Sequence, residues 1–544
     1  MRPIVEVAKE LGIPDELVIP YGKWKAKVSL TALRESGARN AHGRLVLVTG
    51  MTPTPSGEGK TVTSIGVAMG LARLGRKSVL CIRQPSLGPV FGIKGGAAGG
   101  GRSTVEPMQD INMRFTGDID AVSAAHNLLA AMLDNHLFHG NELQIDWRTI
   151  SWRRCVDMND RALRRTIVGL GGKRDGVPRE DGCIITAASE VMAVLCLARD
   201  YHDLRDRLGR IIIGYDLKGN PVRAGQLKAA GSMAAILKDA LEPNLVQTAE
   251  GTPALIHGGP FANIAHGTSS LVSIQLGLSL GEYCVVEAGF ATELGGEKFV
   301  DIVSRAGGLS PCAAVIVATV KALKHHGGVP ADKLGSPDAE AVKRGLGNLG
   351  KHIENVQTFG LAPVVAINKF HADAEQEIEF VRQFCNNLNV PCAVSTVFED
   401  GGRGATELAE RVVEAASKGL RSRPIYPLEA PVEHKVEAIV KDMYGGTGVD
   451  YSLDARKDLE RLGRMGLVEG PVCVAKTPLS LSDDPTKLGR PRDFTALVRR
   501  LEVAAGAGFN IAYMGDVVTM PGLPRRPAAE NIDLRDDGTI TGLF

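Results

Sequence analysis

Thr54-Pro55-Ser56-Gly57-Glu58-Gly59-Lys60-Thr61 joins a buried-looking apolar run to an amphipathic one, and this order of residue types suits a phosphate. Small residues let successive backbone N–H groups close around the anion, and the start of the next helix adds partial positive charge. Lys60 has the reach to contact β- and γ-phosphates, and the Thr61 hydroxyl can hold Mg2+ with them. The usual phosphate-loop pattern has glycine where this chain has Thr54, so the match is one residue short.

Two further segments refine that chemistry. Asn368-Lys369-Phe370-His371 has the opening of the guanine-reading string Asn-Lys-x-Asp without its aspartate, which favours ATP. A glycine-rich stretch from Pro85 to Gly101 follows a second apolar run directly. It reads either as a linker or as a ligand loop at the carboxyl edge of a sheet, where α/β proteins bind small molecules. Arg83 ends that run with a guanidinium suited to bidentate contact with carboxylate or phosphate, and Lys94 adds a second cation.

The elements that must position these groups follow from hydrophobic pattern. Residues 45–49 form a continuous apolar run, a helical pattern starts near Lys60 and stops at Gly75, and residues 78–82 form the next run. That is a βαβ unit. Residues 284–287, 313–319 and 363–368 repeat the strand pattern, which predicts an α/β fold with a mostly parallel sheet covered on both faces. The expected organisation is a P-loop nucleotide-binding core from residues 1–100 and 241–350, with a helical or α/β insert at 101–240. A C-terminal α/β domain at 351–544 completes it. Residues 121–133 and 187–208 carry the helical pattern of the insert, and 421–431, with three prolines, reads as a connector.

Acidic and basic residues nearly cancel, at 62 against 63, which gives no hint of a nucleic-acid or membrane partner. Nine cysteines without a Cys-x-x-Cys pair suggest core thiols in a reducing compartment rather than a zinc or disulfide framework. The start of the chain lacks a signal-peptide pattern, and no apolar run reaches the roughly 18 residues that span a bilayer. The expectation is a cytoplasmic protein.

Longer strings carry a family likeness. The phosphate loop, the segment Pro85 to Gly101, Phe115-Thr116-Gly117-Asp118 and Asn159-Asp160-Arg161-Ala162-Leu163 all resemble formate–tetrahydrofolate ligase. So do the segment from His257 to Gly267, Glu287-Ala288-Gly289-Phe290, Met520 to Pro524 and the terminal Thr541 to Phe544. The resemblance implies that formate, ATP and tetrahydrofolate give 10-formyltetrahydrofolate through formyl phosphate. It also implies Mg2+, activation by a monovalent cation (K+ or NH4+), and a homotetramer. Lys60 and Arg83 would steady the phosphoryl group and formyl phosphate. Asp118, kept ionised by two nearby cations, would position the folate amine or help remove its proton. Gln84, Phe290, Phe370, His371, Val394 and Phe398 would form the folate site.

The chain departs from the family pattern around that site. Gln84 replaces glutamate, Phe398 replaces tryptophan and His371 replaces proline. Thr268-Ser269-Ser270, Glu293 and Lys476-Thr477-Pro478-Leu479-Ser480-Leu481 are further differences, and Arg114 and Asp120 stand where the family has histidines. Three readings stay open: the ordinary ligase, a paralogue with another acceptor such as dihydrofolate, and a low-turnover regulatory protein that binds nucleotide and folate.

Overall fold

Uninterrupted apolar runs have no solvent face to offer, so they are stable only when covered on both sides. Here they form the parallel part of one 12-stranded sheet. The computed structural model describes residues 1–35, 43–55, 57–94, 96 and 98–543. Ser56 of the phosphate loop, together with Gly95, Ala97 and Phe544 of the quoted strings, lies outside the described residues, as does the Lys94 side chain.

The sheet strands, in chain order, are β1 (Val18–Pro20), β2 (Ala26–Val28), β3 (Arg44–Gly50), β4 (Ser78–Ile82), β5 (Gly99–Gly100) and β6 (Ser103–Glu106). They continue with β7 (Asn244–Thr248), β8 (Pro253–Ile256), β9 (Tyr283–Glu287), β10 (Ala313–Ala318), β11 (Ala362–Asn368) and β12 (Cys392–Ser395). The spatial order is β1-β2-β7-β8-β4-β9-β3-β10-β11-β12. From β8 to β12 every pairing is parallel. The β1-β2-β7-β8 end is antiparallel, and the short β5–β6 hairpin joins it through β7.

Side chains alternate between two cores. Leu45, Leu47, Val79, Cys81, Cys284 and Val286 enter one, and Val46, Val48, Leu80, Ile82 and Val285 enter the other. Helix α1 (Lys60–Arg73) covers the second core through Ile65, Val67, Met69 and Leu71, and Leu271–Leu280 covers the first. Interior glycines ordinarily weaken a helix by about 0.5–1 kcal/mol. In α1 they admit a close neighbour, since a Cβ on Gly66 would lie 2.3 Å from Val397 Cγ1, and one on Gly70 would lie 2.9 Å from the Ala405 carbonyl. The segment after β12 is thereby seated on α1.

The expected βαβ unit is present, with α1 ending at Arg73 and Gly75 at φ +73°. The helical run expected at 187–208 divides into Glu190–Leu197 and Tyr201–Arg210. Asp200 causes the break, because its carboxylate accepts from the Asp203 N–H and starts a new helix. The first region expected to be helical becomes α2 (Asp118–Phe138).

Candidate active site

All the parallel strands end at one edge, and the predicted groups gather there. β3 ends at Gly50 and leads through the loop to Lys60. β4 delivers Arg83 and Gln84, and β9 ends in Glu287. Because β9 lies between β4 and β3, Glu287 stands between the arginine and the lysine loop.

The loop is held by a carboxylate that faces inward. Glu58 accepts from the Thr54 N–H at 2.6 Å through Oε1, and from the Thr319 hydroxyl through Oε2. Asn368 Nδ2 donates to the Glu58 carbonyl at 3.1 Å, so the end of β11 also ties the loop down. Gly57 and Gly59 take φ +80° and +71°, where a side chain would be strained. Pro55 is exposed, Thr54 is buried, and Lys60 and Thr61 are half-buried. Glu58 and Thr54 thus brace the loop, leaving Gly57, Gly59, Lys60 and Thr61 as the described residues that can meet an anion.

Behind the loop, the Thr52 N–H donates to His352 Nε2 at 2.8 Å. A backbone N–H can only donate, so Nε2 is unprotonated, and the proton sits on Nδ1, 2.7 Å from the Thr292 hydroxyl. Burial holds His352 far below its usual range, consistent with a neutral ring.

The charges at the edge are sparsely solvated. Burial lowers the pKa of Lys60; Glu287, Glu58 and Glu293 pull the other way, while Arg83 adds to the lowering. Its stem runs over Gly50, where a Cβ would meet Lys60 Cδ at 3.3 Å. Burial likewise lowers Arg83, against the opposing pull of Glu287. The guanidinium donates to the Pro260 carbonyl at 3.0 Å and lies 3.8 Å from Glu287 Oε1. Gly289 leaves room for it, because a Cβ there would be 3.1 Å from Arg83 Nη2.

Several buried polar atoms at this edge have no hydrogen-bond partner among the described residues: Thr49 Oγ1, Gln84 Oε1, Glu287 Oε2 and both ring nitrogens of His266. Buried polar groups are normally satisfied. The orphan acceptors Gln84 Oε1 and Glu287 Oε2 call for donors and the two cations for an anion, so a polar ligand carrying both would complete the group.

Asp118 reaches the same edge by another route. It opens α2 after Phe115 and Gly117, which take φ +46° and +89°. Its Oδ1 lies 2.7 Å from Lys27 Nζ in a buried ion pair, and Oδ2 accepts from Asn244 Nδ2 at 2.6 Å. Asn244 also donates to the Ile256 carbonyl at 3.0 Å, and Ile256 is level with Ile82, just before Arg83. The close cation of Asp118 is therefore Lys27. The carboxylate beside Lys60 and Arg83 is Glu287.

The predicted folate residues form two groups. Gln84 and Phe290 lie at the β4–β9 ends, with Gln84 buried and Phe290 half-buried at φ +59°, an unusual conformation for an aromatic residue. Phe370, His371, Val394 and Phe398 lie at or near the ends of β11 and β12. Phe370 is half-buried with Lys321 Nζ 4.5 Å above its ring, and His371 is exposed. Val394 packs partly into the core, and Phe398 is 56% exposed. Among the described residues no ring contact joins Phe290, Phe370 and Phe398. The glycine segment bridges the two groups: the Arg102 N–H donates to the Phe398 carbonyl at 2.8 Å, and a Cβ on Gly100 would lie 3.1 Å from the Phe398 ring. Its described glycines at 88, 100 and 101 pack closely at the edge, which a free linker would not do.

A family model described as formate–tetrahydrofolate ligase matches residues 1–544, the whole chain. The chain belongs to the formate–tetrahydrofolate ligase family. It is an ATP-dependent ligase of one-carbon metabolism whose substrates are small molecules. Among the described residues no helix is long and apolar enough to cross a membrane.

For this ligase, sequence reasoning missed Lys27, Asn244, Thr319 and His352, and quoted Glu287 without giving it a role. The strand-end position of Glu287 was its available signal. Lys27 sits in a three-residue strand whose single charge gives no sign of its distant partner.

Proposed function

We propose that the ligase phosphorylates formate with ATP and transfers the formyl group to N10 of tetrahydrofolate, giving 10-formyltetrahydrofolate, ADP and phosphate. The observation carrying this reading is the convergence of Lys60 and Arg83 on the strand edge, with Glu287 beside them and next to a loop braced by Glu58.

Formate is a poor acyl donor because its leaving group would be hydroxide, and phosphorylation supplies a better one. The protein's task is then chiefly positioning and charge neutralisation. Gly57, Gly59 and the start of α1 receive the ATP phosphates, and Lys60 follows the γ-phosphoryl group. Arg83 holds formyl phosphate through its fork of N–H donors. The half-buried Thr61 hydroxyl fits Mg2+ bound with the phosphates, and the ion would spread their charge when present. Gln84, Phe290, Phe370, His371, Val394 and Phe398 receive the folate, and Asp118, locked by Lys27 and Asn244, orders the floor between Arg83 and the pterin. Activation by K+ or NH4+, a homotetrameric assembly and a cytoplasmic setting belong to the same reading.

The test is ADP release from ATP and formate with tetrahydrofolate, with dihydrofolate and without folate. Strong stimulation by tetrahydrofolate supports the reading. Preference for dihydrofolate would make the chain a paralogue with a changed acceptor, and binding without turnover would make it regulatory.

A further inference from the structure

Formyl transfer leaves a proton to be placed. As the N10 lone pair forms the bond to the formyl carbon, the bond from that carbon to the phosphate oxygen breaks and its electron pair departs with the phosphate. N10 begins with a hydrogen and must lose it. Once bonded to the acyl carbon, the nitrogen is far more acidic than a carboxylic acid, so a carboxylate is basic enough to receive that proton.

Asp118 is poorly arranged for this. Both of its oxygens are engaged, one by Lys27 at 2.7 Å and the other by Asn244 at 2.6 Å, and the side chain is enclosed. Accepting a proton there would break a buried ion pair and leave Lys27 buried without a counter-charge. Glu293 is also enclosed, with Lys476 at 3.5 Å and His352 at 3.6 Å. Glu287 differs from both. It ends β9 at the ligand edge, its side chain keeps 9% exposure, and Oε1 is 3.8 Å from Arg83 Nη2. Its Oε2, buried and unpartnered among the described residues like both oxygens of Glu293, is set apart by its place at the strand end beside Arg83. If Arg83 holds formyl phosphate, the Glu287 carboxylate stands beside the guanidinium that holds it.

We infer that Glu287 is a catalytic residue, the acceptor of the N10 proton through Oε2, while Asp118 is a positioning residue. The inference rests on the formyl phosphate reading above. With formyl phosphate in place, Arg83 and Lys60 share their charge with the phosphate, which frees Glu287 from its resting role as their counter-ion. The accepted proton then passes to solvent after the products leave.

Rapid quench of one turnover separates the two chemical steps. In Glu287→Gln, ADP should form at a rate within about threefold of wild type, while 10-formyltetrahydrofolate should appear about 10²–10⁴-fold more slowly, the usual range for a lost proton acceptor. Glu287→Asp keeps the charge but shortens the reach, so it should show the same split to a smaller degree, and it carries the measurement if the glutamine variant does not fold. Asp118→Asn should slow or weaken folate binding without producing an ADP burst ahead of product. Equal slowing of both steps in the Glu287 variants would make the residue part of the phosphate site and overturn the inference. So would unchanged formyl transfer, or the ADP-before-product split appearing in Asp118→Asn instead. Failure of the underlying reading is visible separately, in the wild type, as no passage of ¹⁸O from labelled formate into phosphate.

Discussion

A methyl group on Gly59 tests how the loop is made. Gly59 has φ +71°, and a Cβ there would lie 2.5 Å from Asn368 Nδ2. Left-handed backbone costs an alanine about 1–2 kcal/mol. Asn368 cannot stay in place, so its bond to the Glu58 carbonyl is also lost, adding about 0.5–1.5 kcal/mol. Together these penalties amount to about 1.5–3.5 kcal/mol against the native loop, which weakens ATP binding roughly 10- to 300-fold at 1.4 kcal/mol per tenfold. Gly57 is the internal control: it has φ +80°, and a Cβ there would meet nothing within 4 Å. Gly57→Ala carries the strain alone and should weaken binding about 5- to 30-fold. Calorimetric titration of each variant with Mg·ATP gives the comparison. In Gly59→Ala, a further Asn368→Ala change should cost little, because the bond it removes is already broken. Equal affinities for the two glycine variants, or an additive loss in the double variant, would refute the idea that Asn368 and Gly59 form one contact.

The remaining predictions concern charge. Lys60→Ala should retain the thermal transition of the wild type and lose ATP-dependent turnover, and Arg83→Lys should fail nearly as badly as Arg83→Ala because a point charge does not reproduce the guanidinium fork; a mild lysine phenotype in steady-state kinetics would point to a structural ion pair. Gln84 is buried with an unpartnered Oε1, so Gln84→Glu places a carboxylate next to Arg83 and should shift the kcat/KM ratio of tetrahydrofolate to dihydrofolate towards tetrahydrofolate; an unchanged ratio makes position 84 irrelevant to acceptor choice. Burial holds His126, His257 and His326 down to about 4 and His266 to about 3. These rings stay neutral in the fold but charge in the unfolded chain below about 6.5, so stability should fall as pH drops from about 6.5 towards 4. Glu190, raised to about 7, and Asp301, raised to about 6, bind protons earlier in the fold and oppose that loss over part of the range. The urea midpoint should therefore be lower at pH 4.5 than at pH 7, and a higher midpoint at pH 4.5 would contradict the balance.

The parallel part of the sheet is legible in the sequence because its strands are apolar on both faces. The apolar run at 78–82 has the same limits as β4, and the run at 45–49 falls one residue inside each end of β3. The antiparallel end is hidden. β1 and β2 have three residues each, and Lys27 makes β2 look polar when its charge is in fact neutralised by Asp118 across the fold. The same blindness to distant pairing misplaces the site's electrostatics. The family resemblance implies two cations near Asp118 and gives Glu287 no part, whereas the fold pairs Asp118 with Lys27 and sets Glu287 between Arg83 and the lysine loop. The glycine segment is ambiguous for a related reason: its packing against Phe398 goes with the close approach of α1 to residues 397–405, which glycines at 66, 70 and 402 permit.

Passage of oxygen from formate to phosphate tests the central claim most directly. The ligase would be incubated with [¹⁸O₂]formate, ATP and tetrahydrofolate, and the inorganic phosphate analysed by mass spectrometry. Activation through formyl phosphate predicts one ¹⁸O atom in each phosphate released, in step with 10-formyltetrahydrofolate. Product formed with unlabelled phosphate would contradict the account, because the formate oxygen would then never have been bonded to phosphorus.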